Sequence, residues 1–384
     1  MKSICALLTS LSLAAACCAS GLSDGINMAI IKTTMPTSGV SAVVSPYSAV
    51  MVCGLLGDGM DSREQRIALS ERLGLRTTSF GPTFMRVRSQ LADWALSNRV
   101  EVLFANSFWM RNYSRIDREF HAMASRTYDV AFGPLAGVEA INAWSSVKTG
   151  GLVSKVVERV NPSCDTAIVS ASGFNGAWAR PFPPAKKGVF HARGGDVELP
   201  MMEDTRSVKM VKRPGYTAFS LMYRGDRLAL FVLLPDDGKT PHDVGRSLTA
   251  AELDVLDRAL LPDYRPQDAN GDLMPAVEGA SDSVARVALP KFRIETTADM
   301  IPALTALGVQ RTGYDAICKD LRVGTALQQN VFETSETGGE VGLVDLPEVK
   351  ADGNPAELVC NRPFVFLVRT VEHLTLLVGL FSGR

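Results

Sequence analysis

The chain has 384 residues, of which 46% are hydrophobic, so it can bury one large core or divide into two ordinary domains. Its 40 basic and 41 acidic residues leave a formal net charge of −1. Such a balance gives no charged face that would attract nucleic acid or an anionic membrane. We therefore expect neither as a partner.

The N-terminus has the pattern of a secretory signal peptide. Lys2 precedes an apolar run over residues 4–17, and small residues up to Ala19 follow where signal peptidase cuts. We expect residues 1–19 to be removed and the mature chain, residues 20–384, to be secreted. Two alternatives are an uncleaved apolar helix in a cytoplasmic protein and a lipid attached to Cys17. The run is too short to span a bilayer, and no later segment has about 18 uninterrupted apolar residues.

The cysteines that follow the signal segment are too widely spaced for a disulfide framework. They are Cys53, Cys164, Cys318 and Cys360. We expect each to be a small buried hydrophobic residue. The sequence Asn112-Tyr113-Ser114 is an N-glycosylation sequon, so an exported chain is expected to be a glycoprotein.

Helical patterns come first along the chain, and strand patterns follow. Apolar residues recur about one helical turn apart over 84–96 and 141–160, which predicts two amphipathic helices packed on a sheet. Apolar, β-branched runs bounded by Pro, Gly and Asp predict strands over 166–174, 228–234, 284–294, 331–333, 364–369 and 374–381. Helices and strands do not alternate regularly, so we predict an α+β fold with large antiparallel sheets. No repeat or linker divides the chain, which favours a single domain.

One segment departs from these patterns. Residues 336–355 contain Gly338, Gly339, Gly342, Pro347 and Gly353 among acidic residues, between a predicted strand and the final strand pair. A connection of this length without secondary structure is uncommon in a compact domain and is usually functional. The segment is therefore the first place to look for a site.

The sequence contains no recognisable catalytic or metal-binding constellation. The histidines lack the spacing of a zinc site; they are His121, His191, His242 and His373. The glycines over 54–59 do not have the spacing of a nucleotide-binding loop. Residues 268–272 faintly resemble a calcium loop, but Leu273 stands where that loop has its glycine, which favours a solvated turn. Arg86, Arg88 and Arg99 are typical of an ordinary charged helix face. We therefore expect no cofactor, no metal and no enzymatic activity, but a role in recognition.

A set of short motifs occurs in a fixed order along the chain. The motif that closes the long segment is Asn361-Arg362-Pro363-Phe364-Val365-Phe366. The others include Ser45-Pro46-Tyr47-Ser48, Ile141-Asn142-Ala143-Trp144, Phe174-Asn175-Gly176-Ala177-Trp178, Val197-Glu198-Leu199-Pro200-Met201-Met202 and Leu289-Pro290-Lys291-Phe292. Each motif alone is weak, but the ordered set spans residues 26–379 and is specific. It resembles the serpins, the family of serine protease inhibitors.

This resemblance implies a serpin fold, with three β-sheets, eight to nine helices and an exposed reactive-centre loop over about 336–355. It also implies a mechanism in which the inhibitor is a suicide substrate. The target protease attacks the loop and forms an acyl-enzyme, and the freed loop then enters the largest sheet as a new strand. The protease is distorted before it can deacylate, with energy from a metastable native state.

The resemblance also indicates which bond is attacked. Two counts typical of serpins, one forward from the hinge glycine Gly338 and one back from Pro363, both end on Asp352. The reactive bond is therefore expected between Asp352 and Gly353, with 349–352 as the recognised tetrapeptide; the residues before the aspartate are Val349, Lys350 and Ala351.

An aspartate before the cut resembles serpins that act on granzyme B or caspases, since those proteases hold the carboxylate with arginine. The expected partner is thus a granzyme B-like or caspase-like protease, and the chain is expected to act as a monomer. Lys350 is the alternative anchor, for a trypsin-like protease.

The sequence departs from the family's usual pattern at the hinge and under the sheet. The hinge residues are Gly338, Gly339, Glu340, Val341 and Gly342, where a run of small residues is usual. Asp345 would need a partner inside a sheet, and Pro347 removes a ladder hydrogen bond. Ser170 and Gln328 stand where the family usually has Asn and His, and both can still form hydrogen bonds. A non-inhibitory serpin, serving as a binding, carrier or decoy protein whose loop is only cleaved, is the alternative function.

Overall fold

The computed structural model describes residues 39–75, 80–98, 100–159, 164–262, 264, 272–337 and 354–383. The signal segment predicted over residues 1–19 lies outside them. The α-helices in this part of the chain are α1 (Pro46–Asp58), α2 (Arg63–Arg72), α3 (Phe80–Asn98), α4 (Arg118–Tyr128), α5 (Val138–Lys148), α6 (Pro241–Ser247), α7 (Ala250–Leu260) and α8 (Ile301–Ala306).

The strands are β1 (Ala42–Val44), β2 (Glu101–Met110), β3 (Val130–Pro134), β4 (Thr166–Asn175), β5 (Lys186–Ala192), β6 (Gly195–Arg213), β7 (Tyr216–Met222), β8 (Leu228–Pro235), β9 (Ala280–Pro290), β10 (Arg293–Asp299), β11 (Thr325–Glu333), β12 (Ala356–Val359), β13 (Phe364–Thr370) and β14 (Thr375–Phe381). This mixture confirms the predicted α+β class.

The strands form two hydrogen-bonded assemblies. One is a five-stranded sheet in the order β10-β11-β4-β2-β3, and the other contains nine strands in the order β1-β14-β13-β8-β7-β6-β9-β12, with β5 beside β6. The long strand β6 pairs with β5 near its start, with β9 over most of its length and with β7 at its end. Two of the three sheets that the resemblance implies are therefore joined through β6 into one hydrogen-bonded assembly.

Aromatic side chains join the two assemblies. The ring of Phe332, on β11, stacks on that of Phe366, on β13, with centroids 4.6 Å apart. Phe292 lies beside both and stacks on Phe381 at 4.2 Å. Buried aromatic rings each remove a large apolar area from water, so this cluster fixes how the sheets pack.

Helix starts follow ordinary capping chemistry. Ser45 precedes α1, where its hydroxyl accepts from the N–H of Ser48 at 3.0 Å and Pro46 occupies the first helical turn. Thr240 and Asp243 form a capping box at the start of α6. None of the helices in the described ranges is long and apolar enough to cross a bilayer.

Several element boundaries differ from the sequence prediction. The strand predicted over 331–333 already begins at Thr325. The helix predicted over 141–160 ends at Lys148, because Gly150 and Gly151 take φ values of 57° and 87° that stop it. The strand predicted over 284–294 is two strands, since Pro290 has no N–H to continue the ladder and β10 begins only at Arg293. Periodicity continued through both breaks, so the apolar pattern alone could not show them.

The four cysteines that follow residue 39 are buried and free, as predicted. Burial raises the pKa of the Cys53 and Cys360 thiols to about 12. Neither thiol is therefore a nucleophile at neutral pH.

A buried ion-pair network ties α7 to the last strands. Asp257 is 2% exposed and accepts two hydrogen bonds from Arg369, at 2.8 Å from Nε and 2.6 Å from Nη2. Nδ1 of His373 lies 2.9 Å from the same carboxylate. Removal of the Asp257 carboxylate would leave the buried guanidinium of Arg369 without a counter-charge.

We expect Asp257→Ala to lower the free energy of unfolding by about 3–5 kcal/mol, because Arg369 loses its buried carboxylate partner. Urea denaturation checks this value. The control is Asp165→Ala, which removes an exposed carboxylate 3.7 Å from Arg111 and should change stability little. Equal losses in the two variants would contradict the buried role of Asp257.

Candidate functional site

The residues predicted to form the hinge, the recognised tetrapeptide and the reactive bond lie outside the described residues. They are Gly338, Gly339, Glu340, Val341, Gly342, Val349, Lys350, Ala351, Asp352 and Gly353. The described chain stops at Thr337 and resumes at Asn354. Both ends of the segment and the sheet beside its first end are therefore described.

The two ends of the segment belong to different sheets. Strand β11 precedes it and lies inside the five-stranded sheet, whereas β12 follows it and ends the order of the nine-stranded assembly. β12 runs parallel to β9, from Ala356 beside Ala285 to Val359 beside Ala288. Residues 338–353 therefore connect one sheet to the other.

The contact between β4 and β11, which we call the seam, is a parallel pairing inside the five-stranded sheet. It extends from Thr325 beside Ala167 to Phe332 beside Phe174. A chain that leaves β11 and turns back along it runs antiparallel to both strands. Backbone groups of β4 and β11 can then form antiparallel ladders on both sides of such a chain. The seam is thus a position where a new strand can be added.

Among the described residues, two of the side-chain contacts across the seam lie near the C-terminal ends of β4 and β11. The rings of Phe174 and Phe332 stack with centroids 6.0 Å apart. The hydroxyl of Ser172 donates a hydrogen bond to Oδ1 of Asn330, and both residues are fully buried. Of the side-chain hydrogen bonds between described residues, this one joins β4 directly to β11.

The polar residues next to this pair bond β11 and β4 to other elements of the fold rather than to each other. Gln328 exchanges two hydrogen bonds of 2.8 Å with the backbone of Ser45, the cap of α1, and its Oε1 accepts from Asn330 at 3.0 Å. Ser170 donates to Asn106 on β2 at 2.6 Å. The prediction that Ser170 and Gln328 form hydrogen bonds is confirmed. These bonds fasten β11 to a helix and β4 to β2, so they do not oppose separation of the seam.

Residues 334–337, which we call the hinge anchor, are held to the segment that follows β4. Trp178 is 1% exposed, and its Nε1 donates to the carbonyl of Ser335 at 2.7 Å. The backbone N–H of Trp178 donates to the carbonyl of Thr337 at 3.2 Å. Trp178 is itself fixed, because it stacks on Tyr223 with centroids 4.6 Å apart.

Glu336 holds the hinge anchor to a second place. Its carboxylate accepts from Nζ of Lys291 at 2.9 Å and from the N–H of Ala185 at 3.2 Å, and its carbonyl accepts from the N–H of Phe182 at 2.8 Å. Burial acts against ionisation, but hydrogen bonds from its own N–H and from Lys291 outweigh it and keep the pKa of Glu336 below the ordinary value. The residue is therefore an ionised anchor at neutral pH.

Thr334 joins the hinge anchor to the turn between β9 and β10. Its N–H donates to the carbonyl of Phe292 at 2.9 Å, while its hydroxyl accepts from the N–H of Phe292 at 3.1 Å. Thr334 is 1% exposed. The chain is thus fixed up to the first predicted hinge glycine.

Sequence reasoning identified this region through its motifs but not through its contacts. Lys291 and Trp178 each lie in a quoted motif, yet nothing in the sequence indicates that they meet Glu336 and Ser335. Trp178 and Ser335 are 157 positions apart. Periodicity reports only local order, so such pairs become visible only in the fold.

No catalytic or metal-binding set is found among the described residues. No group of three His, Cys, Asp or Glu residues in these ranges could hold a metal ion. His121 lies beside Tyr113 and His191 beside Asp196, both at the surface, and His373 belongs to the buried network with Asp257.

Comparison with known proteins agrees with this geometry. A family model described as Serpin (serine protease inhibitor) matches residues 29–383. The chain is 25% identical over 357 residues to glia-derived nexin of Rattus norvegicus, covering 86% of this chain and 84% of the relative. It is 24% identical over 357 residues to plasminogen activator inhibitor 1 of Bos taurus, covering 86% and 83%.

Solved structures show the same fold. Mouse protein Z-dependent protease inhibitor has a TM-score of 0.77 at 18% identity and covers 96% of each chain. Native protease nexin-1 with heparin has a TM-score of 0.77 at 20% identity, covering 97% of this chain and 99% of the other. With a parallel seam beside the start of the long segment and a family match over nearly the whole described sequence, the chain belongs to the serpin family of serine protease inhibitors.

Proposed function

We propose that this serpin is a secreted suicide-substrate inhibitor that presents the bond between Asp352 and Gly353 to an Asp-preferring protease. The target is a serine protease of the granzyme B type or a cysteine protease of the caspase type. The observation that carries the proposal is the seam, which lies directly beside the strand from which the loop departs.

The seam supports loop insertion, the step that a suicide-substrate inhibitor requires. After cleavage, the segment attached to β11 is free at its far end and fixed at the hinge anchor. It can then fold back between β4 and β11 and pair with both strands. Ser172 and Asn330 form the side-chain hydrogen bond that must break, together with the stack of Phe174 on Phe332.

The names of the relatives favour inhibition over a carrier role. Plasminogen activator inhibitor 1 and protein Z-dependent protease inhibitor are both named as inhibitors. Their likeness covers 86% and 96% of this chain. The non-inhibitory alternative is therefore less favoured, and it predicts cleavage of the loop without a stable complex.

The chemistry of the expected reactive bond selects the class of protease. A carboxylate at Asp352 is recognised best by a guanidinium group, which can donate two parallel hydrogen bonds. Lys350 would instead suit a protease with an acidic specificity pocket. The two possibilities predict different cleavage positions, so one measurement of fragment mass separates them.

The composition of the loop should slow the insertion step. Asp345 would pass from water into a sheet whose central strands are buried, which costs free energy unless it finds a partner or a proton. Pro347 cannot donate to either neighbouring strand. Slow insertion lets the acyl-enzyme deacylate, and more inhibitor molecules are then consumed for each protease trapped.

Secretion is the first expected outcome. The apolar run over 4–17 and the small residues up to Ala19 predict that exported protein begins at Ser20. N-terminal sequencing of the expressed protein checks this, and retention of Met1 would contradict it.

Asn112 is exposed, so enzymatic deglycosylation of protein from a glycosylating host should lower its mass.

Incubation with granzyme B should give a complex that survives denaturing electrophoresis, because insertion traps the acyl-enzyme. The C-terminal fragment released on denaturation should begin at Gly353. Asp352→Ala should abolish the complex, whereas Lys350→Ala should retain it. A clipped product without complex would contradict inhibition, and a fragment beginning at Ala351 would identify a trypsin-like target.

The same assay tests the hinge. Replacement of Asp345 and Pro347 by alanine together should raise the fraction of protease trapped, because a buried charge and a missing ladder donor are removed. Asp237→Ala, at an exposed turn after β8, is the control and should change nothing. An unchanged trapped fraction in the double variant would show that the loop composition does not limit insertion.

Opening of the seam can be measured without a protease. Ser172→Ala removes the hydrogen bond to Asn330, worth about 1 kcal/mol, so a synthetic peptide of residues 338–351 should anneal about fivefold faster. Ser170→Ala is the matched control, because its hydroxyl bonds to Asn106 and does not cross the seam. Equal annealing rates for the two variants would contradict insertion at the seam.

A further inference from the structure

Among the described residues, strand β6 has one edge without a neighbouring strand. Its ladder with β5 ends where Lys186 lies beside Met201, and its ladder with β7 begins only where Phe219 lies beside Met210. Along the opposite edge, β6 pairs with β9 through the whole of this stretch. We call the open edge over residues 202–209 the notch. It interrupts the nine-stranded assembly between β5 and β7.

Backbone donors and acceptors of β6 point into the notch. The N–H of Lys291 donates to the carbonyl of Pro200 at 2.8 Å, so in this register the even-numbered residues of β6 exchange hydrogen bonds with β9. The N–H and C=O groups of Glu203, Thr205 and Ser207 therefore point the other way. Outside the strand ladders, the backbone hydrogen bonds of the described chain include none from or to these three residues. A row of this kind can pair with an added strand.

The segment that follows β4 passes beside the notch without pairing to this edge. Side chains alternate between the two faces of a strand, so those of Asp204 and Arg206 lie on one face of β6. Asp204 accepts from Nε of Arg180 at 2.9 Å, and Arg206 donates to the carbonyls of Arg180 and Pro181 at 2.9 and 3.2 Å. The segment is thus held to that face by side chains. Ser207, which is exposed, lies on the other face.

A cavity of about 560 Å³ lies at the notch, between β6 and β7. Val208 and Leu221 both line it and are buried, and the pairing of Met210 with Phe219 places them on the same face of the sheet. Ser207 lines the cavity from the opposite, exposed face. A strand placed here would therefore direct alternate side chains to an apolar wall and to water.

The charged side chains on the exposed face of the notch are matched by residues of β9. Lys209 lies 2.9 Å from Asp282, and Glu203 accepts from Arg286 at 2.7 Å. A charged ligand would have to displace these pairs. The alternating backbone donors and acceptors are instead complementary to another extended backbone, which carries the same groups at the same spacing.

We propose that the notch binds an extended peptide segment of a partner protein, which pairs antiparallel with β6 as an additional strand. The antiparallel direction is that of β5 and β7, the strands at the two ends of the notch. Small apolar side chains at every second position of the peptide would face Val208 and Leu221, and polar side chains between them would face water. The inference does not rest on the proposed inhibition, in which the loop enters between β4 and β11.

Fluorescence anisotropy of a labelled heptapeptide on the full chain tests the proposal. The probe is Lys-Val-Ser-Val-Ser-Val-Lys, blocked at both ends. In an antiparallel strand whose valines face the apolar wall, the serine N–H groups point to β6 and the valine N–H groups point away. N-methylation of both serines should weaken binding about thirtyfold, because two hydrogen bonds are lost, whereas N-methylation of the last two valines should change it little. Absence of saturable binding by the unmodified peptide, or equal affinity of the two methylated forms, would overturn the proposal.

A pair of proline variants locates the site on the protein. Ser207→Pro removes an N–H that points into the notch and leaves the hydrogen bonds between β6 and β9 in place, so it should weaken the peptide about fivefold. Val189→Pro is the matched control, at an exposed position of β5 whose N–H points away from β6, and it should leave binding unchanged. Unchanged affinity in Ser207→Pro would refute this site. The N-methyl comparison uses the unmodified protein and decides the question even where Ser207→Pro fails to fold.

Sedimentation of the full chain distinguishes a partner protein from a second copy of this chain. The proposal expects no self-association through the notch. A dimer that the heptapeptide dissociates would identify a second copy as the occupant and would contradict the proposal.

Discussion

Strands β4 and β11 are parallel neighbours inside a sheet, and this arrangement constrains the rest of the molecule. Their backbones can pair with each other, yet either could pair equally well with an antiparallel strand between them. Among the described residues, the side-chain contacts across the gap include one hydrogen bond between Ser172 and Asn330 and one ring stack between Phe174 and Phe332. A net hydrogen bond contributes only about 1 kcal/mol, so the bond between Ser172 and Asn330 alone adds little resistance to separation of the two strands.

The surrounding contacts decide which parts can move. Gln328 is fastened to the cap of α1, and the hinge anchor is fastened to Trp178, Lys291 and Phe292. Gln328 therefore attaches β11 to α1, whereas Trp178 attaches the hinge anchor to the segment that follows β4. The hinge anchor thus also joins the two sides of the seam, beyond the ends of β4 and β11.

The sequence was sufficient for the class of fold and for most central strands, because β13 and β14 are continuous apolar runs with clear ends. The apolar pattern did not predict the end of α5 before Gly150 or the break after Pro290, because it continues unchanged through both. Strand β6 was missed because burial along its 19 residues follows no clean alternation, a consequence of sharing it between sheets. The hinge anchor was placed by motif, but its partners are distant in sequence. The reactive bond stays a prediction, since Asp352 lies outside the described residues.

The position of the final strands gives a cut in the loop an unusual consequence. β13 is buried throughout and lies between β8 and β14, and β12 is paired to β9, so everything after residue 354 is built into the nine-stranded assembly. A nicked molecule would remain one particle, heavier only by the water that hydrolysis adds, and made of two chains that share a core. Proteolysis would alter the connectivity of the fold without dismantling it. The piece set free to relocate would be the one that remains attached to β11.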